Sequence, residues 1–253
     1  MLVFGLENAI LRTDPLPRAN RHFHAGVVWH ITHRCHKQQF LLKFKRDREQ
    51  WLRWLHQARK RFRLCVLDYI VTSNHIHLLV HDHGDGEIAR SMQLIAGCTA
   101  QQFNRRKNRK GAYWEDRYFA TAVQSGHHLA RCLVYIDLNM VRAGAVHHPE
   151  DWLHGGYREI QAPPKRYRLI DLERLALLLG IADVRSLQAA HRQWVQIALE
   201  CGRREREPMW TESIAVGQPE FLAAIQRELY LRCPGRRIVD KGGEHWLGEP
   251  TPR

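Results

Sequence analysis

Hydrophobic positions along the first two-thirds of the chain switch between two periods. Gly26-Val-Val-Trp-His-Ile-Thr32 is rich in β-branched and aromatic residues and predicts a first strand. From Asp47, a suitable N-cap, Trp51, Leu52, Trp54, Leu55 and Ala58 recur at helical spacing. Leu64 to Val71 predicts a second strand, Thr72-Ser-Asn74 a turn, and His75 to His81 a third strand. A second helix is expected from Glu87 to Arg106, with Ile88, Met92, Ile95, Thr99 and Phe103 on one face. Residues 114–123 predict a fourth strand. A helix from Ser125 to Ala143 follows, with Leu129, Cys132, Leu133, Ile136 and Met140 as its buried stripe and Gly144 as its terminator.

The resulting order, strand–helix–strand–strand–helix–strand with one further helix, predicts an α+β fold: a ferredoxin-like βαββαβ antiparallel sheet with an added helix. Pro163-Pro-Lys-Arg166 reads as a linker. Residues 171–201 and a helix opening near Pro219 predict a mainly helical C-terminal extension, and Asp240 to Arg253 a loose tail. The expected division is residues 1–160 and 165–253.

Within this pattern, His75 and His77 lie two apart on a strand and therefore share a face. Standing alone they are either half of a metal site or two satisfied histidines. His81 continues the same period and reads as solvent-facing. On the last helix of the core, Tyr135 and Asn139 are four apart and project together; by spacing alone they are a boundary aromatic and a surface amide.

Lys and Arg number 39 against 26 Asp and Glu, a formal net charge of +13. That excess favours a polyanionic partner, nucleic acid above an acidic membrane surface, since no run is apolar enough to span a bilayer. Arg18 and Arg21 in a basic lead-in, and Arg105, Arg106, Lys107, Arg109 and Lys110 after the second helix, are candidate phosphate contacts. Tyr113, Trp114, Tyr118 and Phe119 follow directly, and basic residues beside aromatics suit unpaired bases. The six cysteines are isolated from one another, which argues against a zinc ribbon or a disulfide scaffold and for reduced cytoplasmic thiols.

Asn74-His-Ile-His-Leu-Leu-Val80, Phe103-Asn-Arg-Arg106, Trp114-Glu-Asp-Arg117 and Tyr135-Ile-Asp-Leu-Asn-Met-Val-Arg-Ala-Gly144, in this order on this element pattern, resemble the REP-associated tyrosine transposases. These belong to the single-tyrosine, IS200-like superfamily with a His-hydrophobic-His pair. The resemblance implies a bacterial, nucleoid-associated cytoplasmic enzyme that cleaves and rejoins single-stranded or hairpin DNA through a 5′-phosphotyrosine. It implies Tyr135 as nucleophile, and His75, His77 and Asn139 as ligands of Mg²⁺ or Mn²⁺, with Mn²⁺ the better match to nitrogen donors. Trp114 and Arg117 match a Trp-x-x-Arg element on the DNA side. The family's proline after the asparagine is here Met140, a departure that bears on the helix end. A monomer is expected. The rival expectation is a non-cleaving DNA-hairpin-binding protein derived from such an enzyme.

Overall fold

The computed structural model describes residues 24–202, 205–230, 237–241 and 243–248; Arg18 and Arg21 lie outside them. The core runs β1 (Val28–Arg34), α1 (Lys45–Phe62), β2 (Cys65–Val71), β3 (His75–His81), α2 (Glu87–Arg106), β4 (Phe119–Val123), α3 (His127–Asp137) and α4 (Asn139–Arg142). Its strands lie in the order β2-β3-β1-β4, all antiparallel, which is the expected ferredoxin-like arrangement.

After α5 (Tyr157–Gln161), the C-terminal extension contributes α6 (Leu172–Leu179), α7 (Val184–Glu200), α8 (Met209–Glu212) and α9 (Pro219–Tyr230). It is mainly helical, as expected, but it also donates strands. β5 (Ala215–Val216) pairs parallel with β4, and β7 (Glu244–Gly248) and β6 (Arg237–Lys241) continue the sheet beyond it. The described part of the expected loose tail is therefore a hairpin. The reason is that β4 is an edge of the core sheet, and its unpaired backbone groups are a template for any nearby segment.

Strand parity sorts the side chains. Thr32 pairs with His77 and Phe119, and His30 with Leu79 and Thr121. One face of the sheet thus carries His75, His77, His81, His30 and Asp68, while Ile31, Ile76, Leu78 and Val80 belong to the other. α1 and α2 pack on each other, whereas α3 packs over β2 and β4 and against α6 and α7. His81 is buried, with 7% of its surface exposed, which corrects the solvent-facing expectation.

The expected single helix over 125–143 is broken at Leu138, where ψ is 2°. At this break the Tyr135 carbonyl accepts from the Arg142 guanidinium at 2.7 Å. The second segment closes as a Schellman motif: Ala145 N–H donates to the Met140 carbonyl, and Gly144 sits at φ +67°. The break needs no proline.

Candidate metal and tyrosine site

The sheet face and the broken helix enclose a cleft of about 560 Å³ lined by His75, His77, Tyr135 and Asn139 together with Arg34, Arg117, Arg142 and Arg206. Four candidate side chains separated by some sixty residues thus meet in one place. The rings of His77 and Tyr135 are 5.9 Å apart between centroids, and those of His75 and His77 5.0 Å. Asn139 Nδ2 lies 2.9 Å from His77 Nε2.

Hydrogen bonding determines which imidazole nitrogens carry protons. His30 Nδ1 lies 2.9 Å from the Trp210 carbonyl, which only accepts, so Nδ1 must donate and the neutral ring's Nε2 must accept. That Nε2 is 2.8 Å from His77 Nδ1, so His77 donates there and its own Nε2 keeps a lone pair toward the cleft. For His75 the logic runs through Asn74. The Asn74 amide nitrogen donates to the Gln38 carbonyl, which turns its oxygen to His75 Nδ1 at 2.7 Å. His75 Nε2 is thereby also the bare nitrogen. Both histidines of the pair present lone pairs, the form a metal requires.

Burial keeps these rings neutral. It lowers His30 and His75 to about 4, with the Arg142 and Arg34 cations, respectively, adding to the effect. His77 is pushed well below the ordinary value by burial first, then by His30 and His75. Two neutral imidazoles and a carboxamide carry no charge, so the donor set fits a divalent cation whose full charge stays available to a phosphate. In the structure the Asn139 amide nitrogen occupies the His77 lone pair; rotating that amide would present its oxygen instead.

Tyr135 sits on the last turns of α3, buried between the histidines and Trp210, whose ring centroid is 6.2 Å from its own. Burial raises its pKa, while the Arg142 and Arg206 cations oppose the rise. The Arg142 guanidinium lies 4.1 Å over the phenol ring, a cation–π contact that the sequence reading missed. Its signal was present: Arg142 follows Tyr135 by seven residues, two helical turns. His30 was missed as well. Its signal is positional, a polar residue in the middle of an apolar strand.

The other candidates separate. Arg117 lines the cleft. Arg105, Arg106, Lys107, Arg109 and Lys110 sit at the end of α2 and beyond it and do not line the cleft. Arg106 is ion-paired with the buried Asp47, and Arg109 donates to Asn104 and Gln39 at 3.2 and 3.3 Å. Trp114 is half-buried and packs against its own chain. One face stacks on His33 at 4.0 Å, and its N–H donates to the Ala96 carbonyl at 3.1 Å. Tyr113 is buried.

Residues 24–139 match the family described as "Transposase IS200 like". No curated protein matches the chain. Among solved structures, one described as "Structure of the REP associates tyrosine transposase bound to a REP hairpin" is 16% identical and covers 62% of this chain and 94% of that one, with a TM-score of 0.49. A candidate transposase from Deinococcus radiodurans R1 is 14% identical over 40% of this chain and 82% of that one, with a TM-score of 0.32.

Proposed function

We propose, from the match of residues 24–139 to the family described as "Transposase IS200 like", that the chain is a divalent-metal-dependent transposase that cleaves and rejoins single-stranded DNA through Tyr135. The observation that carries this reading is the meeting of His75, His77, Asn139 and Tyr135 in one cleft. The preference for REP-type hairpins rests on the sequence motifs.

In this reading His75, His77 and Asn139 would hold Mg²⁺ or Mn²⁺, and the cation would supply polarisation of an oxygen of the scissile phosphate. The Tyr135 hydroxyl oxygen attacks phosphorus, a Tyr–O–P bond forms, the P–O3′ bond breaks, and the 3′ oxygen leaves as a hydroxyl. The phosphotyrosyl bond conserves the energy of the broken linkage, so a second 3′-hydroxyl reverses the step without ATP. Because burial raises the Tyr135 pKa, the phenol is neutral at rest and loses its proton as attack proceeds. Arg142 and Arg206 stabilise the charge that develops on its oxygen. Both ligands and nucleophile come from one chain, so a monomer suffices. Arg34 and Arg117 at the cleft are the nearest phosphate contacts, with Arg105–Lys110 and the lead-in Arg18 and Arg21 serving flanking DNA. The C-terminal extension, residues 165–253, is proposed to hold the tyrosine helix in place.

The test is incubation with a labelled single-stranded hairpin and Mn²⁺, followed by a denaturing gel. A protein–DNA adduct absent in Tyr135→Phe is expected. An adduct that survives Tyr135→Phe removes the assigned nucleophile; tight binding with no adduct favours the non-cleaving hairpin-binding protein.

A further inference from the structure

A second group of metal-ligating side chains lies at the far end of β3. Cys65 and His81 are register partners on β2 and β3, and with His83 their ligand atoms all lie within 4.8 Å of one another. Four residues along β3 separate His81 from His77, roughly 13 Å, so this is a different place from the cleft. A carboxylate lies beside the group: Asp171, the N-cap of α6, uses Oδ1 to accept from Arg174 N–H and turns Oδ2 to the Cys65 sulfur at 3.9 Å.

We propose that Cys65, His81, His83 and Asp171 form a Zn²⁺ site that pins the C-terminal extension to the core sheet. Two observations point to a ligand. First, His81 Nδ1 is buried with no hydrogen-bond partner among the described residues, on a residue 7% exposed, and such an orphan is costly unless something binds it. Second, the loop carrying His83 is held from below. The buried Glu87 carboxylate accepts from His83 N–H at 2.7 Å and Asp85 N–H at 3.1 Å, and Asp82 accepts from Gly84 N–H at 2.9 Å. His83 is therefore presented by a braced turn.

The donor chemistry selects the metal. One thiolate, two imidazoles and a carboxylate form a closed tetrahedral set for Zn²⁺, with ligand atoms about 3.3–3.6 Å apart; the Cys65, His81 and His83 atoms would close by roughly 1 Å, and Asp171, which stands outside that group, would swing in from its place beside the Cys65 sulfur. Hard Mg²⁺ has no use for a thiolate. Thiolate and carboxylate together balance the ion's two charges. Arg174 nearby favours the thiolate, whereas a cation without those two anions would be repelled. Uptake exchanges the Cys65 thiol proton for the ion: Zn²⁺ and a thiol become a Zn–thiolate and H⁺.

The experiment uses Co²⁺ as a spectroscopic substitute, titrated into the full chain after chelator treatment. One equivalent should produce a thiolate-to-cobalt absorption band and tetrahedral visible bands, with Zn²⁺ displacing it and raising the melting temperature. The band should vanish in Cys65→Ser and its affinity should fall at least tenfold in His83→Ala. His83 is exposed, so that variant keeps the fold. The band should persist in a His75→Ala/His77→Ala double variant, which separates this site from the proposed catalytic one. No thiolate band in the unaltered protein, a band retained in Cys65→Ser, or undiminished affinity in His83→Ala would each overturn the proposal.

Discussion

At the scale of single residues, the cleft is organised by a relay in which each hydrogen bond dictates the next. The Trp210 carbonyl sets the His30 tautomer, His30 sets that of His77, and His77 then offers Nε2 to the cleft. Partners of this kind are typically worth about 10–100-fold in metal affinity. His30→Phe removes the acceptor for His77 Nδ1 and is expected to weaken Mn²⁺ binding by about that factor, measured by titration calorimetry on Tyr135→Phe protein. His30→Gln, whose amide oxygen can still accept, should recover part of the loss, and equal losses in both variants would count against the relay. Arg142 is the second such residue. It holds both the Tyr135 carbonyl and the face of its ring, so Arg142→Met should slow adduct formation on the order of tenfold, the size of a desolvated cation–π contact. The rate is read from time courses at saturating DNA.

Among the elements, α3 is the one on which everything bears. Its Arg131 reaches Glu207 at 3.0 Å and Glu244 at 2.6 Å, and its Asp137 accepts from His191 of α7 at 2.6 Å. Beneath it lies Asp68 of β2, fully buried, with neither carboxylate oxygen hydrogen-bonded among the described residues and a pKa raised well above the ordinary value by burial and by Asp137. A carboxyl whose native pKa exceeds its unfolded value of about 3.9 binds an extra proton on folding, so its contribution worsens as pH rises from there toward the native pKa. Asp68→Asn keeps the shape without the charge. Its melting temperature should exceed that of the unaltered protein by several degrees at pH 7, with the gap closing as pH falls toward 4. A gap independent of pH would show that charge is not the cause. Gly156 is required here, because a Cβ would come within 2.0 Å of Asp68 Oδ1.

Over the whole molecule, the extension is part of the sheet and of the site. Trp210 is completely buried, packs beside Tyr135 and lends its carbonyl to His30. Trp210→Ala is expected to cost about 3–5 kcal/mol of stability; urea unfolding measures that cost, and adduct formation should fall with it. The net charge of +13 predicts hairpin affinity that falls steeply with salt, linear in log–log form. Arg117→Ala should lower the slope by about one, whereas Trp114→Ala should change stability more than slope, since its indole is spent on His33 and Ala96.

The order of strands and helices, the antiparallel core and the pairing of His75 with His77 were legible in the sequence, because they follow from local periodicity and from side chains two apart on a strand. Gly144 as a helix terminator was legible for the same reason. Neither the break at Leu138 nor the hairpin made by the tail was legible: the break goes with where the Arg142 guanidinium lands on the Tyr135 carbonyl once the chain is packed, and the hairpin with a sheet edge that a distant strand supplies. The same limit separates His30 and His81 from their neighbours. Each is one histidine in an apolar strand by sequence, and only the packing of β1, β2, β3 and the extension decides that one orients a candidate ligand while the other is buried beside a cysteine. Residue type and spacing determine which groups can do chemistry; burial and the partner on each nitrogen determine which of them are set to do it.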